Sequence, residues 1–385
     1  MKEFKSILKE LDKLDLSLRK AAIATVVQVR GSSYRSPGAR MLITDDGRWV
    51  GSISGGCLEG DALRQARQVM TDKVPQTVTY DTREGSNQNL GISLGCNGII
   101  DVLIEPIDAA DSLGTVETFR QLISAEAPMA MATIFGGPKD EVAKKILLRD
   151  ASDLAGNVTD RRLSVQLMED LEVLLRDRTS HARTYALDGI RYDVFLELVQ
   201  PSVSLIIFGG GFDARPVSNL AKTLGWDVTV TDECVAHIAP LFFPTADKLS
   251  LCQRTYIDRD FNITANTACV LMSHNYEYDR DVLKKLLTTS TPFIGILGPR
   301  KRFDKMLTEY SRDGFRLTET DFERIHAPVG LDIGAEAADE IAISIIAEIQ
   351  SKFADRDGGS LKYRSGPIHE RDSAGDQVFK QLYIN

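Results

Sequence analysis

Gly51-Ser-Ile-Ser-Gly-Gly-Cys57-Leu-Glu59 places a thiol directly behind two glycines, between a strand pattern and a helical pattern. Glycine pairs at such a junction adopt dihedrals that other residues resist, and they let a ligand approach the main chain. A helix beginning at Cys57 presents unpaired N–H groups, a ready anion site. Its dipole favours a thiolate, while Glu59 and Asp61 oppose one. Gly55, Gly56 and Cys57 are therefore candidates for holding an anion beside a thiol; the competing reading is a packed cysteine after a tight Gly-Gly turn. Leu94-Gly-Cys96-Asn-Gly98 supplies a second cysteine between glycines, ahead of the strong strand pattern 99–105. Arg30, Arg35 and Arg40, interleaved with Ser32, Ser33 and glycines, form a stretch able to grip phosphate through charge and backbone donors. The competing reading is a solvated loop with ordinary surface arginines.

A third glycine stretch has a different context. Val203–Phe208 is a buried-strand pattern, followed by Gly209-Gly-Gly211-Phe-Asp-Ala214, a helical pattern to Leu224, and a strand pattern ending in Asp232. Gly-x-Gly-x-x-Ala with an acid about 20 residues on is the arrangement of a dinucleotide-binding turn. Gly209, Gly211 and Asp232 are thus candidate cofactor contacts, although Asp213 beside the turn would repel a pyrophosphate. His274 and Arg300 follow later strand patterns of the same domain, where strand ends line a ligand crevice.

These stretches need a scaffold of at least two domains, and 385 residues provide for that. Residues 1–200 read as a mixed α/β domain, with an amphipathic helix in 1–20, hairpins at Asp45-Asp46-Gly47 and Asp188-Gly189, and helices at 115–124 and 161–175. Residues 201–350 read as a Rossmann-like doubly wound domain with a parallel sheet, closed by the apolar helix 340–349, a candidate subunit contact. Residues 351–385, rich in Gly, Ser, Asp and Arg, read as a mobile tail. The net charge of −9 argues against a nucleic-acid binder. No apolar run approaches membrane-spanning length. Five scattered cysteines suit a reducing cytoplasm.

Several of these motifs together resemble the XdhC/CoxI family, accessory proteins of xanthine dehydrogenase and related molybdenum hydroxylases. The resemblance rests on Ala24–Ser33, Pro37–Met41, Gly51–Glu59, Leu94–Gly98, Phe208–Gly211, Phe243–Asp247 and Ala327–Ala335. It implies a chaperone that binds molybdenum cofactor and assists its sulfuration and its insertion into a xanthine dehydrogenase-type apo-enzyme. A cysteine desulfurase is an implied second partner, and a homodimer is the expected assembly. On that reading Cys57 and Cys96 carry over as the candidate thiols, with Cys57 touching molybdenum or its sulfur. The chain then acts as an accessory factor rather than an enzyme. The alternative is an NAD(P)-dependent oxidoreductase using the second domain, with His274 as acid or base.

Overall fold

The apolar runs in 21–31 and 98–106 are buried almost continuously, on both strand faces, and the two segments pair antiparallel at the centre of the first sheet. The computed structural model describes residues 1–83, 98–107, 114–150 and 153–365. Two compact units emerge, one spanning Glu3–Pro201 and a second starting at Ser202.

The first unit opens with α1 (Lys2–Leu11), then β1 (Ala21–Gly31), β2 (Arg40–Thr44), β3 (Trp49–Gly51), α2 (Glu59–Asp72), β4 (Gln76–Asp81) and β5 (Gly98–Pro106). α3 (Thr115–Ser124), β6 (Met129–Gly136), β7 (Lys145–Asp150), β8 (Asp153–Gly156), α4 (Arg161–Asp177), β9 (His181–Leu187) and β10 (Ile190–Val199) complete it. The strands form two five-stranded sheets, β3-β2-β1-β5-β4 and β8-β7-β6-β10-β9, whose pairings are all antiparallel. Ala62, Ala66 and Val69 of α2 pack on the first sheet. Leu163, Leu167, Leu171 and Leu174, one α4 stripe at helical spacing, pack on the second. Val27 and Leu103 meet Phe135 and Phe195 between the sheets. The Arg40 guanidinium crosses the same interval to the Glu197 carboxylate, with one contact at 2.8 Å, and both residues are buried.

The second unit contains β11 (Ser204–Phe208), α5 (Ala214–Thr223), β12 (Asp227–Asp232), β13 (Lys248–Leu251), α6 (Ile257–Asp260), β14 (Thr267–Leu271), α7 (Tyr276–Leu286), β15 (Phe293–Ile296), α8 (Arg300–Arg312), α9 (Glu319–Arg324), β16 (Ile325–His326) and α10 (Ala338–Phe353). Its six strands run β13-β12-β11-β14-β15-β16, parallel throughout. This is the Rossmann-like sheet expected from the Gly209 stretch. Near-continuous burial of β11, β12, β14 and β15 follows from helices on both faces.

Three boundaries depart from the sequence expectation. α2 starts at Glu59, so Cys57 lies in the turn ahead of it. The strand pattern 49–53 predicts a strand to Ile53, but β3 stops at Gly51. α10 continues to Phe353, beyond the expected end at 349, and Gly358 packs against Leu331. The ordered chain therefore reaches into the stretch expected to be mobile.

Candidate functional site

The turn between β3 and α2 is built around one carboxylate. Gly51, at φ +94°, comes so close to β2 that an added Cβ would lie 2.2 Å from the Arg40 carbonyl oxygen. The Ser52 amide donates to that carbonyl at 3.1 Å. The chain then leaves the sheet and folds back over Glu59, the first residue of α2, which is 5% exposed. Glu59 Oε1 accepts from Ser52 Oγ at 2.7 Å, the Ile53 amide at 3.1 Å and the Ser54 amide at 2.9 Å. Its Oε2 accepts from Ser54 Oγ at 2.5 Å, the Gly56 amide at 2.9 Å and the Leu58 amide at 3.2 Å. Ser54 Oγ also accepts from the Leu58 amide at 2.8 Å, and Ser52 Oγ from the Gly55 amide at 2.9 Å. Burial pushes the Glu59 pKa upward, but the Ser54 and Ser52 hydrogen bonds more than offset it and hold the carboxyl at about 2. The anion expected at this turn is the chain's own side chain. Glu59 was legible only as an opponent of thiolate, because a Glu after a Gly-Gly turn does not announce that it folds back under it.

Cys57 rides on this locked turn. Its side chain is half-buried and packs at the edge of the first sheet's core. Gly56, at φ +123°, faces open space, with no atom within 4 Å of an added Cβ. Gly55, at φ +84°, lies beside Tyr34, which is 68% exposed. Cys96 lies outside the described residues. Gly98, two residues after it, sits against the Ser32 carbonyl, 2.4 Å from where its Cβ would be. The 32–34 segment thus touches both the Cys57 turn and the residue that starts β5.

The three arginines are committed elsewhere. Arg30 pairs with Asp101 at 2.6 Å and Arg35 with Glu3. Arg40, 3% exposed, is bound to Glu197 and the Gly38 carbonyl, with its guanidinium 4.5 Å from the Phe4 ring centroid. The backbone of Arg40 flanks the turn, but its charge is consumed by the buried pair.

The Gly209 turn of the second unit is closed by a comparable device. Asp232, 8% exposed, accepts from the Gly210 amide at 2.9 Å and the Cys234 amide at 2.8 Å, and its Oδ2 lies 3.1 Å from His237 Nδ1. An added Cβ on Gly210 would lie 2.4 Å from the His237 carbonyl oxygen, and one on Gly209 2.4 Å from Ser273 Cα. The acid expected as a ribose contact is therefore turned back onto the turn, and the 235–237 segment covers Gly210. His274, at the left-handed φ of +58°, lies 3.5 Å from an added Gly211 Cβ, and its Nε2 is 3.3 Å from Asp213 Oδ2. Below it, buried Asp279 accepts from Ser273 Oγ at 2.6 Å and pairs with Arg302 at 2.8 Å. His274, Gly211 and Asp213 are brought together; Arg300 instead donates to the Ala327 carbonyl at 3.2 Å.

Comparison with known proteins gives a consistent set of matches. Residues 17–81 match a model described as the XdhC and CoxI family, and residues 205–349 one described as the XdhC Rossmann domain. A Bacillus subtilis protein, named as a probable subunit of xanthine dehydrogenase, is 30% identical over 341 residues, covering 88% of this chain and 95% of that protein. An Escherichia coli protein named molybdenum cofactor insertion chaperone PaoD is 26% identical over 338 residues, covering 87% and 84%. A crystal structure described as a xanthine dehydrogenase from Bacillus halodurans superposes with a TM-score of 0.73 at 28% identity, covering 94% of this chain and 98% of that one.

Proposed function

The chain belongs to the XdhC/CoxI family, and on that premise we propose that it is an accessory factor that binds molybdenum cofactor and assists its insertion into a xanthine dehydrogenase-type apo-enzyme. The observation that carries this reading is the Cys57 thiol, half-exposed on a turn that Glu59 holds fixed, next to a glycine with open space before it. Molybdenum takes soft sulfur ligands, and a thiol on a rigid turn meets such a centre without first ordering a loop. The name of the Escherichia coli relative supports the same cargo.

The residues divide the work unevenly. Cys57 is the contact for the metal or its transferable sulfur, with Cys96 as the second thiol. The 32–34 segment lies beside both Gly55 of the Cys57 turn and Gly98 at the start of β5. The turn amides of Ile53, Ser54, Gly56 and Leu58 are spent on Glu59, so they are poor candidates for the phosphate end of the cofactor. Sulfuration with a cysteine desulfurase as sulfur source, and a homodimer as the working state, complete the proposal. No step is routed through a nicotinamide: the matched names do not point to one, and Asp232 and Gly210 are engaged with their own chain.

The test is cofactor content and transfer. Protein purified from molybdenum-replete cells should yield a fluorescent pterin after oxidation and should reconstitute an apo-hydroxylase. Wild-type content and full reconstitution by a folded Cys57→Ala, Cys96→Ala double variant would sink the proposal and leave both thiols as packing.

A further inference from the structure

The rim of the covered Gly209 turn carries an arginine whose charge its own unit leaves unused. Arg215 is the second residue of α5, the helix that follows the turn. Its guanidinium lies 3.9 Å from the Phe242 ring centroid and 5.5 Å from that of Phe212. One stack therefore joins the glycine turn to the segment after β12. Phe212 is 68% exposed, and Leu241, next to Phe242, is 84% exposed. Val235, in the segment that covers Gly210, is exposed as well. Single exposed apolar residues are ordinary. An arginine stacked on aromatic rings among exposed apolar side chains is instead the composition of an interface centre.

Two features make Arg215 costly where it stands. The first turn of α5 has no acidic residue, and a cation there opposes the helix dipole. Its Nε is buried and meets no acceptor among the described residues. The acids around it are engaged with other groups. Asp213 Oδ2 lies 3.3 Å from His274 Nε2, Asp232 holds the Gly210 and Cys234 amides, and Asp247 pairs with Lys222 at 2.7 Å. Stacking on Phe242 recovers part of the cost, but the charge stays uncompensated among the described residues. The complement of this surface is a carboxylate set between apolar side chains.

We propose that this rim is where the apo-enzyme docks, placing a surface carboxylate against Arg215 and apolar side chains against Phe212 and Leu241. The proposal rests on the accessory-factor reading and adds the face that meets the acceptor. Two other occupants fit less well. A second copy docking symmetrically through this face would set Arg215 against its own equivalent. A nucleic acid is disfavoured by the net charge of −9.

Biolayer interferometry of the full-length chain over an immobilised xanthine dehydrogenase-type apo-enzyme tests the proposal. Arg215→Glu and Leu241→Glu should each weaken binding roughly 10-fold or more. Arg215→Lys, which keeps the charge but loses the planar fork, should weaken it less. Wild-type affinity should fall as salt rises. Leu241 is exposed, so Leu241→Glu keeps the test open should Arg215→Glu fail to fold, with Trp226 emission as the check. Leu241→Glu should retain wild-type pterin content, whereas Cys57→Ala should lose pterin and still bind the apo-enzyme. No binding by the wild-type chain would sink the accessory-factor reading and this proposal with it. Wild-type binding that Arg215→Glu and Leu241→Glu both retain would overturn the docking surface alone. A wild-type dimer that Leu241→Glu dissolves, with apo-enzyme binding intact, would give the face to a second copy and equally overturn it.

Discussion

The two glycine turns, Gly55-Gly56 and Gly209–Gly211, look alike in sequence, and each carries a buried carboxylate on its own amides. They differ in where the carboxylate comes from and what it leaves free. Glu59 lies three residues beyond Gly56, takes six donors, and leaves Gly56 facing open space and Cys57 half-exposed. Asp232 arrives from the neighbouring strand, takes Gly210 and Cys234, and brings a segment that covers Gly210. A glycine turn is therefore not evidence of a bound anion until its amides have been traced. The first turn is locked yet accessible, and the second is locked and covered.

Breaking the lock at the first turn should have the largest effect. Glu59→Ala strands several buried donors and should cost about 3–4 kcal/mol; Asp232→Ala, with fewer donors, should cost less. Each unit carries its own tryptophan, Trp49 in the first and Trp226 in the second. Urea unfolding of Trp49→Phe and Trp226→Phe backgrounds therefore reads the units separately. Equal losses in both units, or a larger loss with Asp232→Ala, would contradict the hierarchy.

Acid offers the same contrast without truncation. The folded Glu59 carboxyl titrates at about 2 against an ordinary 4.5. Its pKa is depressed by folding, so its contribution is present above pH 4.5 and is lost as pH falls through about 2. Roughly 3 kcal/mol of first-unit stability should fade across that window. Glu59→Gln should be less stable at neutral pH and should flatten the acid limb of the Trp49 signal. An acid limb that survives Glu59→Gln unchanged would assign it to other carboxylates.

Alanine at the glycines sharpens the difference between covered and open. Gly210→Ala drives a methyl into the His237 carbonyl, 2.4 Å from the ideal Cβ, and should cost about 2–3 kcal/mol. Gly56→Ala meets no atom within 4 Å, so its cost is backbone strain at φ +123°, about 1–2 kcal/mol. Thermal unfolding followed at the matching tryptophan decides the order.

Much of this architecture was legible in the sequence, for reasons that also explain the gaps. β11, β12 and β14 carry buried apolar runs because helices cover both faces, and Thr115–Ser124 keeps its helical stripe along its full length. The strands that the pattern hides, Asp153–Gly156 and Lys248–Leu251, sit at sheet edges with half-exposed patterns, where burial leaves a weak signature. α8 is hidden because its first turn, Arg300-Lys-Arg302, is all charge, with no apolar residue to start a helical stripe. Arg40 reads as a phosphate contact because its partner Glu197 is 157 positions away, and no local pattern links them. Glu59 escapes for the opposite reason: its partners are so close that the turn's geometry, not its composition, determines which groups it meets.

The smallest expected effect on stability carries the largest on function. Cys57→Ala removes one sulfur from a side chain packed only at the edge of the first sheet's core, so the Trp49 transition should move by about 1 kcal/mol or less. The Glu59 network does not involve the Cys57 side chain, so the turn should keep its shape, checked by backbone amide shifts of Ser54, Gly56 and Leu58. The control is Cys234, an exposed thiol just beyond Asp232 beside the covered turn. If accessibility of the turn is what separates the two regions, Cys57→Ala should lose most of the retained pterin and Cys234→Ala none. Both thiols are free among the described residues, so general reactivity cannot produce that asymmetry. Equal loss from the two variants would trace retention to nonspecific thiol chemistry. Loss from Cys234→Ala alone would move the site to the second unit and reverse the comparison.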